Sequence, residues 1–202
     1  LIGYRLSSNL GFFIGRTIGP IFRSKKMIIQ NLEKANIKYP NNLSKIASNV
    51  LGNYGRIFAE YVHLKKFRNN KLKEYVSIVG LEHLESLKKH NKKAVFISGH
   101  FNNFELMAME IEKAGIDLAT IYRPLNNIFL NETMEKIRKE NICKNQIKKG
   151  RAGSREIIKN LIKGKSIALM IDQRVREGEK VNFFNNLATT TTIPAQLVKK
   201  YN

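Results

Sequence analysis

The sequence predicts an α/β fold: a largely parallel central sheet flanked by helices, with an N-terminal helical segment ahead of it. Three observations predict it. Apolar runs rich in β-branched residues, at Ala94–Ile97, Leu118–Tyr122 and Ser166–Ile171, have the length of buried strands. Helix-spaced patterns separate them, and strands that alternate with helices favour parallel pairing. Each run also stops at a punctuating or charged residue, Gly99, Arg123-Pro124 and Asp172.

A chain of 202 residues can bury one sizeable core and is most simply one domain, read as an N-terminal helical, membrane-proximal segment over 1–66 and an α/β core over 67–202. The sequence begins on Leu1 and stops at Asn202 just after a helical pattern, so the core is expected to be cut at its C-terminal side. Lys and Arg number 36 against 16 Asp and Glu, a formal charge of +20 that favours anionic partners. Cys143 is the single cysteine, which excludes an internal disulfide and, with no His at ligand spacing, argues against a zinc site.

Residues 1–32 contain no acid, while Arg5, Arg16, Arg23, Lys25 and Lys26 punctuate an apolar run. Arg5 and Arg16 interrupt the ~20 apolar residues that a bilayer crossing needs, so the segment suits a membrane interface. Gly3, Ser7, Gly11, Gly15 and Gly19 fall every fourth residue, a stripe that permits close helix packing, at a membrane or in an ordinary core. A second helix is expected over 43–64, with Leu43, Ile46, Val50, Tyr54, Ile57, Phe58 and Tyr61 on its apolar side. Tyr75–Val79 alternates like a strand, and Leu81–His90 reads as a helix. Further helices are expected over Phe129–Asn141, which carries Arg138, and Glu156–Lys163. The basic run Lys148–Gly153 between them reads as a loop. A last helix begins near Thr189–Thr192 with Pro194 in its first turn, and Phe183-Phe184 before it reads as core.

The organising stretch runs from Ala94 to Glu110. His100 lies between a strand and a helix, and Glu105 follows five residues later. Five residues are about 140° around a helix, so only a turning backbone brings the pair together. A His held by a carboxylate is a general base at neutral pH. The alternative is a capping box, with Asn102 as N-cap and Glu105 three residues on. Because ligands bind beyond the carboxyl ends of parallel strands, one crevice can gather His100, Arg123 and Asp172, each of which ends a predicted strand.

Five segments in order then resemble a known family: Val79–Leu84, the His-x4-Glu stretch Gly99–Glu105, Tyr122–Asn127, Ile171–Gln173, and Phe183-Phe184 followed by the Thr run. Together they are similar to the bacterial late acyltransferases of lipid A biosynthesis, of lauroyl/myristoyl type, within the lysophospholipid acyltransferase superfamily. The resemblance implies an acyltransferase that moves a fatty acyl chain from an acyl-carrier-protein thioester to a hydroxyl of a lipid A precursor, in lipopolysaccharide biosynthesis. It implies His100 as base with Glu105 orienting it, and Arg123, Asn126, Arg138, Arg151, Arg155, Asp172 and Gln173 binding substrate. No metal or other cofactor is required. The implied partners are acyl carrier protein, an anionic glycolipid and a membrane surface, at the cytoplasmic face of the inner membrane. The alternatives are an acyltransferase of the same superfamily acting on another glycolipid or a lysophospholipid, and a non-enzymatic basic nucleic-acid-binding protein. The sequence carries no nucleic-acid-reading motif, and its aromatics do not interleave with Arg as in a stacking platform.

Overall fold

The computed structural model describes residues 2–36, 42–125 and 127–201, with the side chains of Ile128 and Arg151 outside that description. In chain order the elements are helices α1 (Tyr4–Phe22), α2 (Lys25–Lys34), α3 (Leu43–Glu60), α4 (Leu64–Arg68) and α5 (Leu81–Lys89). Strand β1 (Val95–Ser98), helix α6 (Glu105–Lys113), strand β2 (Leu118–Tyr122), helix α7 (Ile128–Asn141), strand β3 (Asn145–Lys148), helix α8 (Arg151–Ile162) and strand β4 (Ser166–Met170) follow. Strands β5 (Glu179–Phe183) and β6 (Asn186–Thr190) and helix α9 (Ile193–Tyr201) end the series. By its internal packing the chain divides into one unit of Leu1–Leu64 with Glu179–Thr189 and another of Lys65–Gly178 with Thr190–Asn202.

In the first unit α1 packs along α3 through small residues. A Cβ added at Gly15 would stand 2.5 Å from the Leu51 carbonyl oxygen and 2.9 Å from the Gly55 Cα; one added at Gly11 would stand 2.5 Å from the Ala59 Cβ. The stripe therefore brings two backbones together, from Ser7 onward, while Gly3 meets nothing. Polar groups fill the same seam. Ser7 Oγ donates to the Ala59 carbonyl at 3.1 Å, and the buried Glu60 carboxylate accepts from Ser8 Oγ at 2.7 Å and Tyr4 OH at 3.2 Å. His63 is buried, edge-on to the Tyr4 ring.

The α3 face differs from the expected one. Ala47, Ser48, Leu51, Gly52, Ile57 and Glu60 are buried, whereas Tyr54 and Phe58 are exposed. Small residues allow the closest approach to α1, so they take the inner face with Leu51 and Ile57; of the expected side Ile57 is buried, Leu43, Ile46, Val50 and Tyr61 are half-buried, and Tyr54 and Phe58 turn outward. Among the described residues no helix is long and apolar enough to cross a membrane.

In the second unit the four strands β1 to β4 form a parallel sheet in the order β1-β4-β2-β3. Its core is conventional: Ala119, Ile147, Ile157, Leu161, Ile167, Leu169 and Leu197 are buried together. Strand β2 coincides with the expected run, β1 is shifted by one residue from Ala94–Ile97, and β4 ends one residue before the expected run. Strand β3 was hidden in the sequence because Asn145-Gln146-Ile147-Lys148 offers one apolar residue to the core and polar groups elsewhere. Tyr75–Val79 is not a strand; a 3-10 turn occupies Lys73–Tyr75 and Val79 is almost wholly exposed, with no ladder to join among the described residues. Helix α8 starts at Arg151, so the basic run divides between the end of β3, a turn and a helix start. Phe183 and Phe184 are exposed at the β5–β6 turn and are not core.

Candidate functional site

Register decides which carboxylate meets His100. Strand β4 pairs with β1 so that Ser98 lies opposite Met170, and two residues beyond each stand His100 and Asp172. Asp172 Oδ1 is 2.8 Å from His100 Nδ1, and Oδ2 accepts from the His100 backbone N–H at 2.7 Å. The carboxylate thus clamps ring and backbone together. Gly99 keeps the passage open, since a Cβ there would lie 2.7 Å from the Phe101 ring and 3.2 Å from Asp172 Oδ2. Phe104 meets the imidazole edge-on with ring centres 4.6 Å apart, fixing its plane.

With Nδ1–H given to Asp172, the remaining nitrogen, Nε2, carries the lone pair; the Gln173 amide nitrogen lies 3.4 Å from it. Burial works against the ionised form of Asp172, but the backbone and ring hydrogen bonds from His100 outweigh it and hold its pKa below the usual carboxylate value. The carboxylate charge is therefore present at neutral pH to stabilise an imidazolium.

Glu105 is the first residue of α6, and the chain reaches it through a left-handed Asn102, φ 44°. The capping box does not form: the N-cap position is Phe104, without a side-chain cap bond. Asn102 instead makes the turn, a conformation that Asn tolerates better than most residues. Glu105 Oε1 accepts from Arg138 Nε at 3.0 Å and Nη2 at 2.9 Å, a largely buried pair. The orienting contact expected of Glu105 is made by Asp172, while Glu105 and His100 face one cavity.

That cavity, about 350 Å³, lies at the carboxyl ends of the strands. His100, Glu105, Arg123, Arg138 and Gln173 line it together with Tyr122, Lys148 and Lys149, and Met107, Ala108, Ile142, Ile157 and Leu169 supply apolar wall. Along the sheet edge the order is His100 after β1, Asp172 and Gln173 after β4, Arg123 after β2, then Lys148 and Lys149 at β3. Arg155 is exposed and outside the lining. Asn126 and the Arg151 side chain lie outside the described residues.

Sequence reasoning missed Tyr122 and Glu135 as support. Glu135 is held down to about pKa 2, first by the Tyr122 hydroxyl and then by Asn131 and Lys148, whose Nζ is 3.2 Å away. Tyr122 is raised above its usual range by burial and by that carboxylate, and the Arg138 guanidinium lies 5.9 Å from the centre of its ring. The Asn127 side chain caps α7 by accepting from the N–H groups of Phe129 and Leu130. The signal was a Glu135–Arg138 spacing on one helix, which no single residue advertises. Burial pushes the Cys143 thiol up to about 11, so it is no nucleophile at neutral pH. Among the described residues no three His, Cys, Asp or Glu side chains are grouped as metal ligands.

The arrangement is a charge-clamped imidazole, a guanidinium and lysines around a cavity with an apolar wall, and an imidazole held in this way can act as a general base. Among curated proteins no significant match to the sequence is found. The family model described as bacterial lipid A biosynthesis acyltransferase matches residues 1–202, the whole chain. The protein belongs to that family of bacterial lipid A biosynthesis acyltransferases and is, by that membership, an acyltransferase.

Proposed function

We propose that the protein transfers a fatty acyl chain from an acyl-carrier-protein thioester to a hydroxyl of an anionic lipid A precursor, with His100 as general base. The observation that carries this reading is the two-point clamp of Asp172 on His100, at 2.8 Å and 2.7 Å, which leaves Nε2 with its lone pair at the cavity. In the reaction Nε2 takes the proton of the acceptor hydroxyl, and the developing alkoxide forms a bond to the thioester carbonyl carbon. Asp172 stabilises the imidazolium and keeps its tautomer. Arg123, an exposed residue in the lining of the same cavity, balances the oxyanion of the tetrahedral intermediate in this scheme. The carbon–sulfur bond then breaks, and the departing thiolate recovers the proton from His100. No metal and no covalent enzyme intermediate enters this scheme.

Glu105 and Arg138 act as a second pair: Arg138 fixes Glu105 in the wall of the cavity, where its carboxylate adds negative potential near the imidazolium. Lys148 and Lys149 supply cationic contacts for phosphate on donor or acceptor. The surplus of 36 basic over 16 acidic residues supports the carrier protein and an anionic glycolipid as partners, and argues for work at the cytoplasmic face of the inner membrane, where such charge meets anionic lipid. The exposed apolar side chains of the first unit support the same location.

The test is mass spectrometry of lipid A from cells lacking the corresponding acyl transfer and supplied with the full-length gene. One added acyl chain is expected with the wild type and none with His100→Ala. Acylation of a different glycolipid or of a lysophospholipid instead would overturn the acceptor assignment.

A further inference from the structure

We propose that the β5–β6 hairpin is a membrane-inserting element, whose tip of Phe183, Phe184 and Leu187 enters the acyl boundary of an anionic bilayer. The inference rests on the membrane reading above and assigns to this segment a contact of its own. Every residue of β5 is exposed, and the three tip side chains are 64 %, 54 % and 73 % exposed. A two-stranded ribbon in water gains little stability by itself, and it ordinarily hides such side chains against a neighbour.

The tip is nevertheless built. Phe184 and Asn185 both take left-handed φ, 49° and 58°, a turn that twists with its strands but which a bulky aromatic rarely adopts. The Asn186 side-chain amide donates to the Phe184 carbonyl at 2.7 Å and to the Lys34 carbonyl at 2.8 Å, tying the turn to the end of α2. Phe183 and Phe184 stand edge-to-face with centroids 4.7 Å apart, so they present one wedge.

Charge selects the occupant. The segments 1–64 and 179–189 contain ten Lys and Arg against three Glu, and Glu60 is buried. A second copy of so basic a surface would be repelled, while anionic headgroups would be drawn to it. Aromatics beside Lys and Asn are the chemistry of the water–lipid boundary, with rings in the acyl layer and cations at the phosphates.

The sequence contains no Trp, so the full chain with Phe184→Trp has one indole reporter. On adding phosphatidylglycerol-containing vesicles its emission is expected to move to the blue and to be quenched by lipids brominated on their acyl chains. The pair Phe183→Ser and Phe184→Ser is expected to weaken vesicle partitioning about tenfold or more, with unchanged thermal unfolding. An unshifted, unquenched indole on protein that sediments with the same vesicles would overturn the proposal, and the reporter decides it even where the double variant does not fold. A shift that follows protein concentration without vesicles, or that needs an acidic carrier protein in place of lipid, would overturn it too. Acyl transfer by the wild-type chain to detergent-dispersed acceptor reads the proposed function separately, so failure of insertion with intact transfer removes this inference alone.

Discussion

The two units of this chain solve packing in opposite ways. In the α/β unit large aliphatic residues such as Ile167, Leu118 and Leu161 are inside and fully withdrawn from solvent. In the helical unit glycine, serine and a buried glutamate share the inside with Leu51, Ile57 and Leu64, and Phe13, Ile21, Phe22 and Phe58 are outside. The first arrangement is held by removing apolar area from water. The second relies on this less, because many of its bulky apolar groups remain exposed. It is held as well by close backbone approach at Gly11, Gly15 and Gly55 and by the hydrogen bonds of Tyr4, Ser7 and Ser8. The difference teaches that one sequence can pack two units by different means, and the candidate site residues lie in the α/β unit.

The largest effect should come from separating chemistry from packing. Asp172→Asn keeps the shape of the clamp but loses its charge and tautomer control. Turnover should fall on the order of 10²-fold or more, with little change in unfolding temperature. Single-turnover acyl transfer measures the first and calorimetry the second. With His100→Ala as background the same change should cost nothing further, because residues acting as one unit are non-additive. Multiplying losses would dissolve the pair.

Next comes the contrast itself. Ile167→Ala removes buried methyl groups from the sheet core and should destabilise that unit by about 2–5 kcal/mol, read by denaturant unfolding. In the helical unit a single added methyl is the damaging change. Gly15→Ala places a Cβ against the Leu51 and Gly55 backbones, which cannot yield as a flexible side chain would, and should cost about 1–3 kcal/mol. Equal tolerance of Gly15→Ala and an exposed control such as Gly3→Ala would break the comparison.

The smallest effect is a pH dependence. Glu135 has a folded pKa of about 2 against an ordinary 4.5, so its ionised form favours the folded state. That contribution is complete above about pH 4.5 and is lost as pH falls towards about 2. Acid unfolding of Glu135→Gln should therefore show a shallower slope in that window than the wild type. An identical slope would place Glu135 outside the Tyr122 and Lys148 cluster.

Much of the α/β unit was legible because its strands are short, apolar and fully buried, a pattern that survives any arrangement of neighbours. Strand β3 was not, since a sheet-edge strand needs only Ile147 inside. The apolar side of α3 misled for a different reason. Periodicity finds the bulky face and assumes that water is outside, whereas the Gly52 and Gly55 side of α3 was the one that packed.

The site divides in the same manner. His-x4-Glu marked the strand-to-helix turn, and the strand ends marked Arg123 and Asp172, because these are local properties of chain direction and punctuation. That Asp172 meets His100, while Glu105 pairs with Arg138, was decided by the tertiary structure. Insertion of β4 between β1 and β2, in the register Ser98 to Met170, brings residues 72 apart within 2.8 Å. A sequence states which chemistries are available at each turn; only the strand order and its register, set by packing of the whole sheet, state which of them touch.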